Sequence, residues 1–237
     1  MYYEIHGNGP PLLVLHGFTA SGQFVRQILH EYEPHFQLII PDFRGHGRTN
    51  NPLNGFTSKQ AADDIIKLLD YLEIKKLCAM GVSSGGDILL HIATRQADRI
   101  KAMVLDSTGH YFPKQARVAV SEWSPSKQAM EMYQQIHVHG EEQIMKIIQQ
   151  MRDLEHIVDD VNFTPPYLGT IKARTLIVGG DRDEYYPVEI FVEMHKSIPD
   201  SELLIFPNTG HAVIGSKYAG ELKKNALDFL LNEGDTA

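Results

Sequence analysis

The amino-acid sequence predicts an α/β fold, a mostly parallel central sheet of about seven strands flanked by helices on both faces. Three observations carry that expectation. Short runs such as Leu12-Leu13-Val14-Leu15, Leu77-Cys78-Ala79-Met80 and Ala102-Met103-Val104-Leu105 are apolar throughout, as strands buried on both faces must be. Between them lie stretches with apolar residues spaced by three and four, the period of an amphipathic helix. The apolar runs end in loops rich in Gly, Asp, Ser and His, and beyond such strand ends open parallel sheets bind their ligands.

Taken in order, residues 2–6 read as a short strand, turned by Gly7-Asn8-Gly9-Pro10-Pro11 into the strand 12–15, which runs into His16-Gly17-Phe18. A helix is expected over 22–32 and a strand over 36–40, ended by Pro41. The loop Asp42-Phe43-Arg44-Gly45-His46-Gly47-Arg48-Thr49 reads as scaffold, with Asp42 expected to pair with Arg44 and His16 expected to brace its neighbours through hydrogen bonds. Ala61, Ala62, Ile65, Leu68, Leu69 and Leu72 mark a helix over 58–72, with Ser58 as the expected N-cap.

The next strand leads into Gly81-Val82-Ser83-Ser84-Gly85-Gly86 and then a helix. A G-x-S-x-G turn between strand and helix holds its serine in a strained, exposed position that small neighbours permit. A serine there has a plainer use as well, which is to cap the helix that follows. After the strand 102–105 the alternation stops. Residues 110–167 are rich in Gln, Met and His and predict helices near 114–123, 127–139 and 141–156. We read them as a helical cap inserted into a core made of 1–109 and 168–237, with Met130, Met132, Met145 and Met151 either lining an apolar pocket or packing the cap onto the core. His137 and His139, two apart in an expected helix, would face different ways, so no metal site is expected. The sheet resumes at 175–178 and ends in Gly180-Asp181-Arg182-Asp183-Glu184. Pro187 opens a helix to 198, a last strand at 202–206 ends in Gly210-His211, and a final helix covers 215–231.

Composition narrows the possible partners. A chain of 237 residues, 43% hydrophobic, suffices for one sizeable core. Its net charge of -8 with dispersed Lys and Arg offers no footprint for nucleic acid or an anionic membrane. The lone Cys78 forms no intramolecular disulfide and reads as a small buried residue. No basic-then-apolar leader and no membrane-length run is present, so a cytoplasmic location is expected.

Ser83, an aspartate near 183 and His211 follow one another in the order nucleophile, acid, base. Together with His16-Gly17-Phe18, the Asp42-x-Arg44-Gly45-His46-Gly47 loop, the elbow at 81–86 and Gly180-Asp181-x-Asp183, they make the whole chain resemble the α/β-hydrolase fold superfamily. The resemblance implies Ser83 as nucleophile, His211 as base, and the backbone N–H groups of Phe18 and Ser84 as the oxyanion hole. It favours Asp183 as the acid, over Asp181 and Asp106, because similar proteins use the second aspartate of this pattern. The implied activity is hydrolysis of a small or medium carboxylic ester, thioester or lactone through an acyl-enzyme, with water as co-substrate and no metal or organic cofactor. C–C bond hydrolysis, perhydrolysis, aminopeptidase-like amide cleavage and a non-catalytic ligand receptor are the alternatives, in a monomer or homodimer. Similar dehalogenases and epoxide hydrolases carry Asp where Ser83 stands, which argues against those reactions. Departures from the pattern are Thr49 where many relatives carry Ser, Ala173-Arg174 where many have a Pro, and a short start from which the antiparallel first strand of larger members is expected to be missing.

Overall fold

A computed structural model of the chain describes residues 1–52 and 54–232. Seven strands form a single sheet: β1 (Tyr3–His6), β2 (Pro11–Leu15), β3 (Gln37–Pro41), β4 (Leu77–Val82), β5 (Ile100–Asp106), β6 (Arg174–Gly180) and β7 (Ser201–Phe206), in the order β1-β3-β2-β4-β5-β6-β7. All neighbours are parallel except β1, which pairs antiparallel with β3. The short N-terminus therefore retains an antiparallel edge strand.

The apolar runs are buried on both faces, and their alternation divides the core in two. Leu13, Leu15, Ile39, Ala79 and Leu105 face the helices α2 (Ser58–Tyr71), α3 (Ser84–Arg95) and α8 (Val188–Ser197) through Ala62, Ile65, Ile88, Ile92 and Phe191. Leu12, Val14, Leu38, Ile40, Met80 and Val104 face α1 (Gly22–Leu29) and α9 (Ala219–Leu231) through Val25, Leu29, Leu222, Ala226 and Phe229. Period-two alternation on a sheet covered on both faces gives this division, and it anchors every strand in one register. Leu15 pairs with Gly81, Val82 with Asp106, Asp106 with Val178, and Gly180 with Phe206. The carboxyl ends of β2, β4, β5, β6 and β7 thus finish side by side, and the loops that follow share one rim.

Two local expectations change. The N-cap of α2 is Thr57, whose hydroxyl accepts the N–H of Gln60 at 3.1 Å, and Ser58 is the first helical residue. The second helix of the insertion, α5 (Lys127–Ile136), stops before His137, which is extended at φ -107°, ψ 100°. The helices α4 (Lys114–Ser121), α5 and α6 (Glu141–Asp153) lie between β5 and β6 in sequence, followed by the single turn α7 (Pro165–Leu168). The chain entering and leaving this excursion is joined to itself. Tyr111 and Asn162 form an isolated antiparallel bridge, the Phe163 N–H donates to the His110 carbonyl at 2.8 Å, and the His110 Nδ1 lies 2.8 Å from the Phe163 carbonyl. No helix among the described residues is long and apolar enough to cross a membrane.

Candidate active site

Ser83 sits between the last residue of β4 and the first of α3, with φ 52° and ψ -119°. For a residue with a Cβ this costs on the order of 1–3 kcal/mol, and the surroundings must impose it. Its N–H is held by the Asp106 carbonyl at 2.8 Å, and the chain turns so tightly that no side chain fits two residues to either side. A Cβ on Gly81 would lie 2.5 Å from the Gly85 carbonyl carbon, and one on Gly85 would lie 2.5 Å from the Leu15 carbonyl oxygen. Both glycines are therefore required by close backbone approach rather than by their own φ.

His211 reaches this serine from the loop after β7. Its Nε2 lies 2.8 Å from Ser83 Oγ, and its Nδ1 lies 2.9 Å from Asp183 Oδ2. Asp183 is buried after β6, and its Oδ1 also accepts the N–H groups of Tyr185 and Tyr186 at 2.8 and 3.0 Å. Burial works against a charged imidazole, yet the hydrogen bond and charge of Asp183, with the charges of Glu184 and Asp106, outweigh it and raise the His211 pKa above its usual value. The Tyr185 ring packs edge-on against His211 with centroids 4.5 Å apart and limits its swing.

The other two aspartates lie elsewhere. Asp181 is exposed and accepts only the Thr209 N–H, at 3.3 Å. Asp106 is fully buried and accepts the N–H groups of Val213 and Ile214 at 3.0 and 2.9 Å and the Ser107 hydroxyl at 3.0 Å. Ser107 Oγ in turn accepts the Ala212 N–H at 2.9 Å. Ser107 and Ala212, like Ser83, have positive φ without being glycine, so strain is concentrated at the site and tied down by these bonds. That brace for the His211 loop was not visible in the sequence; the one available signal was a polar pair, Asp106-Ser107, ending an apolar strand.

Phe18 follows β2 beside the serine: a Cβ on the preceding Gly17 would lie 3.8 Å from Ser83 Cβ. Ser84 opens α3, so its N–H belongs to the first turn of a helix, where amides lack an intrahelical acceptor and the helix dipole favours negative charge. Both residues line, with Ser83 and His211, a cavity of about 410 Å³. The insertion supplies its outer wall through Val120, Trp123, Met132, Tyr133, Met151 and Leu154. Of the four methionines named from the sequence, Met132 and Met151 line the cavity, Met130 packs within the insertion and Met145 is exposed.

The loop 42–49 supports this arrangement differently from expectation. Asp42 does not pair with Arg44. Buried beneath the turn, its carboxylate accepts the N–H groups of Gly22 and Arg48 at 2.7 and 2.8 Å, while Arg44 reaches outward to Asp64 on α2 at 2.7 Å. His16 is fully buried, with Nδ1 2.7 Å from the Gly17 carbonyl and Nε2 accepting the Phe43 N–H at 3.1 Å. Burial, then the nearby His46, keeps it neutral, with a pKa well below the usual value. His137 comes to the same place from the insertion and accepts the Gly47 N–H. Among the described residues no cluster of three or more His, Cys, Asp or Glu is placed to hold a metal ion.

Comparison with known proteins bears on the family and the fold. A sequence model described as the alpha/beta hydrolase fold matches residues 10–146. The chain is 25% identical to haloalkane dehalogenase 2 of Mycobacterium tuberculosis over 90% of its length and 85% of that protein's. It is 23% identical to the pimeloyl-[acyl-carrier protein] methyl ester esterase of Vibrio vulnificus over 90% and 91% of the two chains. Among solved structures, the enol-lactonase of Burkholderia xenovorans LB400 superposes with a TM-score of 0.77 at 20% identity, over 98% of this chain and 96% of that one.

Proposed function

The chain belongs to the α/β hydrolase fold family, and from that premise we propose that it is a serine hydrolase of small or medium carboxylic esters, thioesters or lactones. One observation carries the reading. A continuous relay runs from Ser83 Oγ through both nitrogens of His211 to the buried Asp183 carboxylate. In the proposed cycle His211 Nε2 takes the hydroxyl proton as Ser83 Oγ attacks the acyl carbon. Asp183 holds the tautomer and balances the imidazolium that forms. The carbonyl oxygen, now negative, is held by the N–H groups of Phe18 and Ser84, each such donor being worth roughly 10²–10³ in rate. The imidazolium returns its proton to the leaving oxygen or sulfur, the acyl–Ser83 ester remains, and a water deprotonated by His211 cleaves it.

The same chemistry disfavours dehalogenation, although a relative bears that name. A serine that displaced a halide from an alkyl carbon would end as an ether, which water does not cleave, whereas a carboxylate nucleophile would end as a hydrolysable ester. The names of the esterase and the lactonase lie nearer to what Ser83 can do. We also propose 110–167 as the cap of the active site and the remainder as its core, with a small acyl compound and water as partners in a cytoplasmic setting.

The test is labelling with a fluorophosphonate, comparing the native protein with Ser83→Ala and His211→Ala, and then a series of p-nitrophenyl esters of increasing acyl length. Labelling of the native protein alone, with turnover of at least one ester, is the expected result. Equal labelling of Ser83→Ala, or no labelling and no turnover by a protein that still binds acyl compounds, would overturn the reading in favour of a receptor.

A further inference from the structure

The cavity beside Ser83 is lopsided in charge. Glu184 is the one acidic side chain among its lining residues, and none of them is Arg or Lys. Arg117 and Arg152 reach this part of the cap, but their Nε donors go to the carbonyls of Phe112 and Trp123 at 3.1 Å each, and neither residue lines the cavity. Glu184 is fixed in place: its Oε2 accepts the His211 N–H at 3.1 Å and hangs over Gly210, where a Cβ would lie 3.1 Å from it. The remaining wall is aromatic and aliphatic, including Phe24, Phe112, Trp123 and Ile214. Tyr185, pushed up to about 12 first by burial and then by the charges of Glu184 and Asp183, stays a neutral phenol in this negative field.

We propose that Glu184 is a specificity-determining residue that restricts the site to acyl groups carrying no negative charge of their own. The inference rests on the hydrolase reading of the same site. An uncharged acyl chain transfers into the apolar wall at no electrostatic cost. A chain ending in a carboxylate or phosphate must bring its charge into a cavity whose one carboxylate is also negative and whose lining holds no Arg or Lys to balance it. Because Glu184 is itself exposed at the mouth, the repulsion is screened by solvent and salt and acts mainly on binding.

The experiment compares p-nitrophenyl valerate with mono-p-nitrophenyl glutarate, which have acyl chains of equal length and differ in one terminal carboxylate. The native protein should favour the neutral ester about tenfold or more in kcat/KM. Glu184→Gln, which keeps an oxygen for the His211 N–H, should reduce that ratio to about threefold or less, and 0.5 M salt should reduce it in the native protein with no substitution at all. In parallel, quenching of Trp123, the sole tryptophan, by pentanamide and by its ω-carboxylate analogue glutaramate reads the same preference without catalysis. A ratio near one in the native protein, or one that neither Glu184→Gln nor salt moves by more than about twofold, would overturn the proposal. If neither ester turns over, quenching decides the charge selection while fluorophosphonate labelling separately decides the hydrolase reading: a preference for pentanamide that Glu184→Gln removes upholds the charge selection, and equal quenching rejects it.

Discussion

His137 Nδ1 accepts the N–H of Gly47 at 3.0 Å, while its Nε2 lies 3.2 Å from the Thr19 carbonyl. One buried imidazole thereby fastens the end of α5 to the loop after β3 and to the loop that carries Phe18. Accepting on one nitrogen and donating from the other requires the neutral ring.

Acid should therefore loosen the protein at this joint. Burial lowers the His137 pKa to about 4, against about 6.5 for an unfolded histidine. Above pH 6.5 neither state carries the proton and the full stability is present; as pH falls below that, only the unfolded chain takes it up. The loss reaches about 3 kcal/mol by pH 4 for this residue alone, and His46, lowered to about 3 chiefly by burial, steepens it. Urea midpoints followed by Trp123 emission between pH 7 and 4.5 measure the slope. His137→Gln should start less stable by about 1–3 kcal/mol and show a shallower decline; an unchanged slope would assign the acid sensitivity to other groups.

Three aspartates at the rim should respond differently to substitution. Asp183→Asn should cut ester turnover roughly 10³–10⁴-fold, because its amide favours the wrong histidine tautomer, with little change in folding. Asp181→Asn, altering an exposed acceptor of one long hydrogen bond, should stay within about threefold of native. Asp106→Ala strands the amides of Val213 and Ile214 in the interior and should cost about 2–4 kcal/mol in denaturation, with activity falling through the loosened His211 loop. Greater catalytic damage from Asp181→Asn than from Asp183→Asn would reverse the assignment of the acid.

The pH profile of ester hydrolysis reads the same histidine. On the proposed mechanism His211 acts as a base only when neutral, and its pKa is raised, so kcat/KM should climb through an apparent pKa above 6.5 and then level off. Glu184→Gln removes one of the raising charges and should move that limb toward lower pH. The stabilisation that His211 gains from Asp183 has its own window: it is complete below about pH 6.5 and disappears as pH rises through the raised value.

The sheet and its rim were legible because both are written locally. Runs such as 12–15 and 102–105 are apolar at every position only when both faces are covered, and the glycines around Ser83 have no cheaper explanation than an elbow. What escaped were contacts between distant segments. Asp42 and Arg44 are neighbours of opposite charge, yet each finds a better partner 20 residues away in sequence, at Gly22 and Asp64. His137 read as a helical residue because the apolar spacing continues past Ile136, whereas its bonds to Gly47 and Thr19 draw it out of the helix. The polar pair Asp106-Ser107 at the end of an apolar strand marks an unusual site but does not say that Asp106 holds a loop more than a hundred residues further on.

The bridge between Tyr111 and Asn162 makes the helical insertion a closed ear on the frame. Because the chain is paired with itself at 111 and 162, the sheet feels the same two anchor points whatever hangs between them, and closing a longer or shorter excursion changes the entropy only slowly with length. One ear can therefore be exchanged for another without moving the elbow, the relay or their braces. The same seam is where a chimera should be cut: a foreign insertion spliced at 111 and 162 keeps the anchor points of the host sheet and replaces the wall that Trp123, Met132 and Met151 give the cavity beside Ser83.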